Sequence, residues 1–346
     1  MVTTIKYNNN NYKYSFITQS LFYNTITTLK NFKPQTFYDH MRNLAISIIA
    51  SIATIISLSF AVTAQADHSP QPIDSGYAEV NKTKLYYEIA GKGEPLVLIH
   101  GSFGDRRFWD LQFTELSKKY KVLRYEVRGY GRSALPDSTE VYRDSDDLNA
   151  LMDFLKIKKA HICGLSLGSI IAIDFALAYP GKCSSLIPIG PRVAGDGTDE
   201  YKNKNSDSIR AIIAKVTDIA KTKGAKKATD YLWMGDHAMG KTVVTTRTRH
   251  ALLKMGYQYS WWRYLHTSKR EQVYPMAIKK LNEIKTPTLI VTAEYDLELC
   301  KEVAAIMAKE IPGAKLISIK GAGHIMNMDQ PKEFNKIISG FIDGIK

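Results

Sequence analysis

Residues 160–173 read Ala160-His161-Ile162-Cys163-Gly164-Leu165-Ser166-Leu167-Gly168-Ser169-Ile170-Ile171-Ala172-Ile173. The first part is a short apolar run ended by glycine, as expected of a strand buried on both faces. The last part opens a helical pattern that runs over 167–179 and is closed by Pro180. Between them stands Gly164-Leu165-Ser166-Leu167-Gly168. In a strand-to-helix setting, G-x-S-x-G marks a turn so sharp that a Cβ at either flanking position would collide. The turn lifts the serine hydroxyl above the sheet edge, and the helix N-terminus behind it favours developing negative charge. Ser166 is therefore the candidate nucleophile.

Outward from this turn, short apolar runs alternate with longer helical patterns, the signature of a parallel sheet covered by helices. A hairpin of 77–80 and 84–90 is expected around Asn81-Lys82. Further strands are expected at 96–99, 122–127, 161–163, 186–189, 288–292 and 316–319, each apolar enough for burial on both faces. Helices are expected around 107–118, 146–156, 300–310 and 332–343. The alternation stops near residue 191 and resumes near 286. The block 191–285 is helical in pattern, with Ile209, Ile212, Ile213, Val216 and Ile219 on one face of a helix starting near Ser208. It reads as an inserted helical cap within a single domain spanning 67–346. Its aromatic cluster, Tyr257, Tyr259, Trp261, Trp262 and Tyr264, suits either an apolar acyl pocket or the packing of the cap itself.

A serine hydroxyl needs a base to take its proton. His324, in Gly321-Ala322-Gly323-His324, follows the last strand on a loop small enough to bring an imidazole to the turn. His161 lies within a strand and His100 in the loop after another, so both are expected to be structural. His237, His250 and His266 belong to the cap, where solvated helix faces suit them better than substrate contact. The base needs a carboxylate to hold its tautomer. Asp296 follows the 288–292 strand and is favoured, with Glu294, Glu298 and Asp196 as alternatives. An oxyanion needs two backbone N–H donors. Leu167, directly after the nucleophile, should supply one. The loop His100-Gly101-Ser102-Phe103-Gly104 should supply the other, from Ser102 in preference to Phe103.

Together, His100-Gly101, Arg128-Gly129-Tyr130-Gly131-Arg132-Ser133, the Gly164–Gly168 turn, Asp296 and Gly323-His324 resemble the α/β-hydrolase superfamily over about residues 76–346. The resemblance is to its cap-bearing branch of esterases, lactonases, carbon–carbon bond hydrolases and cofactor-free haloperoxidases. It implies an α/β fold with a mostly parallel eight-stranded sheet, its second strand antiparallel, helices on both faces and the cap after the sixth strand. It implies also a Ser166–His324–Asp296 triad that cleaves a small or medium carboxylic ester or lactone through an acyl-enzyme. A carbon–carbon hydrolase, an acyltransferase and a non-catalytic exported binding protein are the alternatives. Serine at the turn argues against the aspartate-using dehalogenases and epoxide hydrolases. The chain departs from the family pattern at Glu126, where aspartate is usual two residues before the arginine. It departs also at Ala293, where glycine is commoner, in lacking a proline just after Asp296, and at Ser169, often a second glycine.

Composition narrows the setting. The chain has 346 residues, 45% of them apolar, and a formal net charge of +13. Residues 191–285 hold 19 basic and 9 acidic residues, so the excess lies in the cap, which suggests an anionic substrate or attraction to an anionic membrane surface. No nucleic-acid partner is expected. The alternative is a solvated lysine-rich face. Residues 41–66 combine a basic start, an uncharged run from Leu44 and Ala64-Gln65-Ala66, the parts of a secretory signal peptide. Cleavage near Ala66 would give a secreted or periplasmic protein; an uncleaved membrane anchor is the rival. Residues 1–40 lack apolar periodicity and are expected to be unstructured, with initiation at Met41. The odd count of Cys163, Cys183 and Cys300 leaves at least one free thiol, and Cys163 and Cys183, in apolar strand-like runs, are expected to be buried thiols. No Cys/His spacing resembles a metal site, and the chemistry requires no metal or organic cofactor.

Overall fold

The apolar runs pair into an eight-stranded sheet of β1 (Ile73–Val80), β2 (Thr83–Ala90), β3 (Pro95–Ile99), β4 (Lys121–Tyr125), β5 (Ala160–Leu165), β6 (Cys183–Ile189), β7 (Leu289–Tyr295) and β8 (Lys315–Gly323). Their spatial order is β1-β2-β4-β3-β5-β6-β7-β8. Only β2 runs against its neighbours, β1 and β4. The remaining neighbours pair in parallel, so this is the α/β-hydrolase fold. The coordinates come from a computed structural model and describe residues 38–39, 41–49, 51, 73–198, 200–201, 204–266, 269–271 and 276–345.

Local chemistry explains the order. β3 and β5 lie in the middle of the sheet, and every residue of β5 is buried. β8 is an edge strand, and there the expectation of burial on both faces fails: Leu316 and Ile317 are 43% and 36% exposed while Ile319 is buried. The opening hairpin starts earlier than its apolar pattern suggests, at Ile73, and turns at Asn81 and Lys82, both with positive φ. Helices α1 (Asp110–Leu116), α2 (Asp144–Phe154), α3 (Leu167–Ala178), α8 (Glu298–Glu310), α9 (Met326–Asp329) and α10 (Pro331–Asp343) surround the sheet.

Between β6 and β7 the described elements are mainly helical: α4 (Lys204–Met234), α5 (Ala238–Lys241), α6 (Thr246–Gly256) and α7 (Trp262–Leu265). Ile209, Ile212, Val216 and Ile219 are buried along α4, while Ile213 faces a cavity described below. Gly224, at φ 81°, breaks α4 into two helical pieces. The loop before β7 contributes a feature that periodicity does not reveal. Lys269–Arg270 pairs in parallel with Val141–Tyr142, which ties this region to the segment ahead of α2.

The chain divides into two units, Met1–Ser69 and Pro70–Lys346. In the first, residues 38–39, 41–49 and 51 are helical. Residues 1–37, most of the expected leader and Ala64-Gln65-Ala66 lie outside the described residues. Among the described residues no helix is long and apolar enough to cross a membrane. All three cysteines are buried and free, and burial pushes the Cys183 thiol up to about 12.

Candidate active site

Steric necessity shapes the turn that carries Ser166. A Cβ on Gly164 would sit 2.0 Å from the Gly168 carbonyl oxygen, and one on Gly168 would sit 2.3 Å from that of Ile99. Ser166 itself has φ 53° and ψ −106°, a region that a residue with a side chain occupies only when its surroundings enforce it. The enforcement is visible. The Ser166 N–H donates to Ile189 O at 2.9 Å. The Ser169 hydroxyl lies 2.6 Å from Ser166 O and 2.8 Å from Arg192 O, and accepts from Arg192 N–H at 2.8 Å. Ser169, a departure from the family pattern, thus fastens the elbow to the chain leaving β6.

Asp296 is the carboxylate that meets His324. Its Oδ1 lies 2.6 Å from His324 Nδ1, and the two residues are 5% and 2% exposed. Oδ1 also accepts from Leu297 N–H at 2.8 Å, and Oδ2 accepts from the Thr292 hydroxyl at 3.0 Å. The alternatives are engaged elsewhere. Glu294 accepts from Gly321 N–H, Glu298 pairs with Lys301, and Asp196 pairs with Arg192.

Gly190 joins this pair to the nucleophile. It follows Ile189, has φ 48°, and a Cβ there would lie 2.9 Å from the His324 ring and 3.5 Å from Asp296 Oδ2. Ser166 and His324 are not in hydrogen-bond geometry with each other, as is common for catalytic pairs without substrate. Gly323 is required for a different reason, since a Cβ would strike the Thr242 carbonyl of the cap at 1.7 Å. Its N–H donates to Asp329, which also accepts from Thr245, so the histidine loop and the cap share one anchor.

A cavity of about 440 Å³ opens over Ser166 and Leu167. Ser102 and Phe103 also line it. Leu167 begins α3, where the first N–H groups have no helical partner. The Phe103 ring stacks on Tyr264 at 4.6 Å. The aromatic cluster divides: Tyr264 lines the cavity, Tyr259 and Trp261 are buried against Phe103 and Tyr130 outside the cap, Trp262 stacks on His266, and Tyr257 bonds Asp230 at the surface. A larger hollow of about 680 Å³ between α1 and α10 holds neither Ser166 nor a histidine among its described lining residues.

The other histidines separate by their partners. His161 meets Ser185 and Glu94, His237 caps α5, His250 is exposed, and His266 lines the cavity. His100 accepts from Val127 N–H at Nε2 (3.0 Å), so Nδ1 carries the proton towards Gly101 O at 2.7 Å. It braces two loops and is no free base. Burial lowers its pKa to about 4 from an ordinary 6.5. A histidine depressed in the folded state supports folding above its unfolded pKa, and that support is lost as pH falls from about 6.5 towards 4. Between pH 7.5 and 5 the parent should lose about 2 kcal/mol from this group. Urea unfolding at both pH values tests it: His100→Gln should lose less stability than the parent over the interval, and equal losses would refute the assignment.

Asp296, Cys300 and His324 place ligand atoms within 4.8 Å of one another, the one such metal-capable group among the described residues. The direct Asp296–His324 contact accounts for their proximity without an ion. Burial, with Asp296 adding to it, holds the Cys300 thiol well above its ordinary pKa, so it is neutral beside the pair. Sequence reasoning misses Gly190, Ser169 and Thr292. Thr292 is signalled by a hydroxyl in an otherwise apolar strand; Gly190 has no local signal beyond standing after one.

A sequence model of the alpha/beta hydrolase family matches residues 96–337. The chain is 26% identical over 265 residues to 3-oxoadipate enol-lactonase 1 of Acinetobacter baylyi, covering 76% of this chain and 94% of that protein. It is 24% identical over 269 residues to a 2-hydroxy-6-oxononadienedioate/2-hydroxy-6-oxononatrienedioate hydrolase of Paraburkholderia phymatum, covering 75% and 91%. Among solved structures, the enol-lactonase from Burkholderia xenovorans superposes with a TM-score of 0.57 at 25% identity, covering 78% of this chain and all of that one.

Proposed function

The chain belongs to the alpha/beta hydrolase family, and from that premise we propose that it is a serine hydrolase of small or medium carboxylic esters or lactones. The buried Asp296–His324 hydrogen bond, packed against the strand end that holds Ser166, carries this reading. Ser166 Oγ attacks the carbonyl carbon while His324 Nε2 takes its proton. The oxyanion is held by the N–H groups of Leu167 and Ser102. The carbon–oxygen bond to the alcohol breaks, and the alcohol leaves with the proton from His324. Water then attacks the acyl-enzyme, giving its proton to His324, and Ser166 Oγ recovers that proton as the acid departs. Asp296 holds the His324 tautomer and stabilises the imidazolium.

The relatives support the substrate class, since one is an enol-lactonase by name. The test is labelling of the full-length chain by a fluorophosphonate, together with turnover of a panel of nitrophenyl esters and lactones. A folded protein that neither labels nor turns over any of them refutes the reading. Export with cleavage near Ala66 belongs to the same proposal, and N-terminal sequencing of the mature protein decides it: a start at Met1 or Met41 would contradict it.

A further inference from the structure

Three arginines, Arg192, Arg263 and Arg270, line the cavity above Ser166, and no carboxylate is among its described lining residues. Burying cations this way needs compensation, and two of the three are compensated in full. Arg192 is held by Asp196 through two contacts, with Nη2 to Oδ1 at 2.8 Å. Arg263 is held by Asp144 through Nη1 to Oδ1 at 3.2 Å and Nη2 to Oδ2 at 2.9 Å, and also donates to Arg128 O. That leaves Arg270 sharing an oxygen already taken. Its described side-chain contact is Nη1 to Asp144 Oδ2 at 3.4 Å. Its side chain is 29% exposed, against 6% for that of Arg263.

Arg270 is nonetheless fixed in place. Its backbone pairs with Tyr142, and the Glu271 N–H donates to Tyr142 O at 2.8 Å. Asp174, the other carboxyl in its field, is buried and its pKa is pushed up to about 7, so it offers only partial charge near neutrality. His266 lines the same cavity, with its Nδ1 turned to Trp262 O at 3.2 Å. A guanidinium has five N–H donors in a planar fork suited to a carboxylate. Here one nitrogen of that fork makes the 3.4 Å contact to Asp144, and the residue lines a cavity that also holds the candidate nucleophile.

We infer that Arg270 is a specificity-determining residue that binds a carboxylate carried by the substrate in addition to the reacting ester. The preferred substrate is then an ester or lactone that carries a free carboxylate, such as the half-ester of a dicarboxylic acid, and this rests on the hydrolase reading above. Hydrolysis converts the half-ester anion and water into a dicarboxylate, an alcohol and one proton.

The experiment uses the full-length chain with mono-4-nitrophenyl glutarate beside the neutral 4-nitrophenyl pentanoate. A carboxylate on the alcohol side is covered by 4-acetoxybenzoate against phenyl acetate. The parent is expected to favour an anionic member by roughly tenfold or more in kcat/KM, mainly through KM. Arg270→Gln should cut that preference by about tenfold or more, and Arg270→Lys should restore part of it. A parent indifferent to the second carboxylate, or a preference that Arg270→Gln leaves intact, would overturn the inference.

Calorimetric binding of glutarate to the Ser166→Ala protein separates this inference from the hydrolase reading. Glutarate binding that Arg270→Gln weakens, in a protein inert to every ester, keeps the anion site and removes the hydrolase. Hydrolysis of neutral esters without glutarate binding does the opposite.

Discussion

Ser166→Ala lowers kcat for a nitrophenyl ester by about 10⁵–10⁶-fold, the scale of losing a nucleophile that works as one unit with its base, and abolishes fluorophosphonate labelling. That is the expected result, and the structure makes it a clean one. The hydrogen bonds that hold the elbow run through the Ser166 backbone, from its N–H to Ile189 O and to its carbonyl from Ser169. Alanine keeps both. The left-handed φ of 53° strains alanine as it strains serine, so thermal stability should change little. KM should move far less than kcat, because the cavity lining is otherwise untouched. His324→Ala should cost a comparable factor, and the double variant no more than either alone, since each removal already disables the same step. A Ser166→Ala protein that keeps more than about 1% of parental kcat would place the nucleophile elsewhere.

What could be read without coordinates was local or nearly so. Gly164 is required by a contact made within five residues, with the Gly168 carbonyl, so the turn announces itself, although Gly168 answers to Ile99 on the neighbouring strand. Strand runs such as 96–99 and the α4 stripe of Ile209, Ile212, Val216 and Ile219 follow from periodicity alone. What stayed hidden depends on partners distant in sequence. Edge or centre is decided by pairing, so the exposure of Leu316 could not be told from its apolar run. Gly190 matters because His324, more than a hundred residues later, rests against it. The two-residue pairing of Arg270 with Tyr142 leaves no pattern in either segment. The cap aromatics look equivalent in sequence and divide only in three dimensions, where Phe103 and Tyr130 claim Tyr259 and Trp261 while Tyr264 faces the cavity. The excess positive charge was visible as a count. The weak compensation of Arg270 was not, because Asp144, whose oxygen it shares with Arg263, lies outside that block.

Asp296 offers a sharper test than removal of the nucleophile, because two substitutions there should differ. Asp296→Ala strips the orienting acceptor from His324 and should lower kcat by about 10⁴-fold, the scale seen when a triad carboxylate is removed. Asp296→Asn is constrained by the donors around it. Leu297 N–H and His324 Nδ1 both point at Oδ1, and the Thr292 hydroxyl points at Oδ2. An amide nitrogen at the Oδ1 position would face the Leu297 N–H, two donors with nothing between them, which costs about 1–3 kcal/mol for an unsatisfied buried group. The amide oxygen therefore stays at Oδ1, and the Thr292 hydroxyl rotates to accept from the new NH₂. His324 keeps its Nδ1–H tautomer and loses only the negative charge opposite its imidazolium. Asp296→Asn should then retain activity about tenfold or more above Asp296→Ala, a loss of roughly 10²–10³-fold from the parent. Adding Thr292→Val to Asp296→Asn removes the partner of the NH₂ and should erase most of that advantage. Steady-state kcat for the three variants decides the matter: equal losses in Asp296→Asn and Asp296→Ala would mean that the amide flips, and that the Leu297 N–H does not control the tautomer of the base.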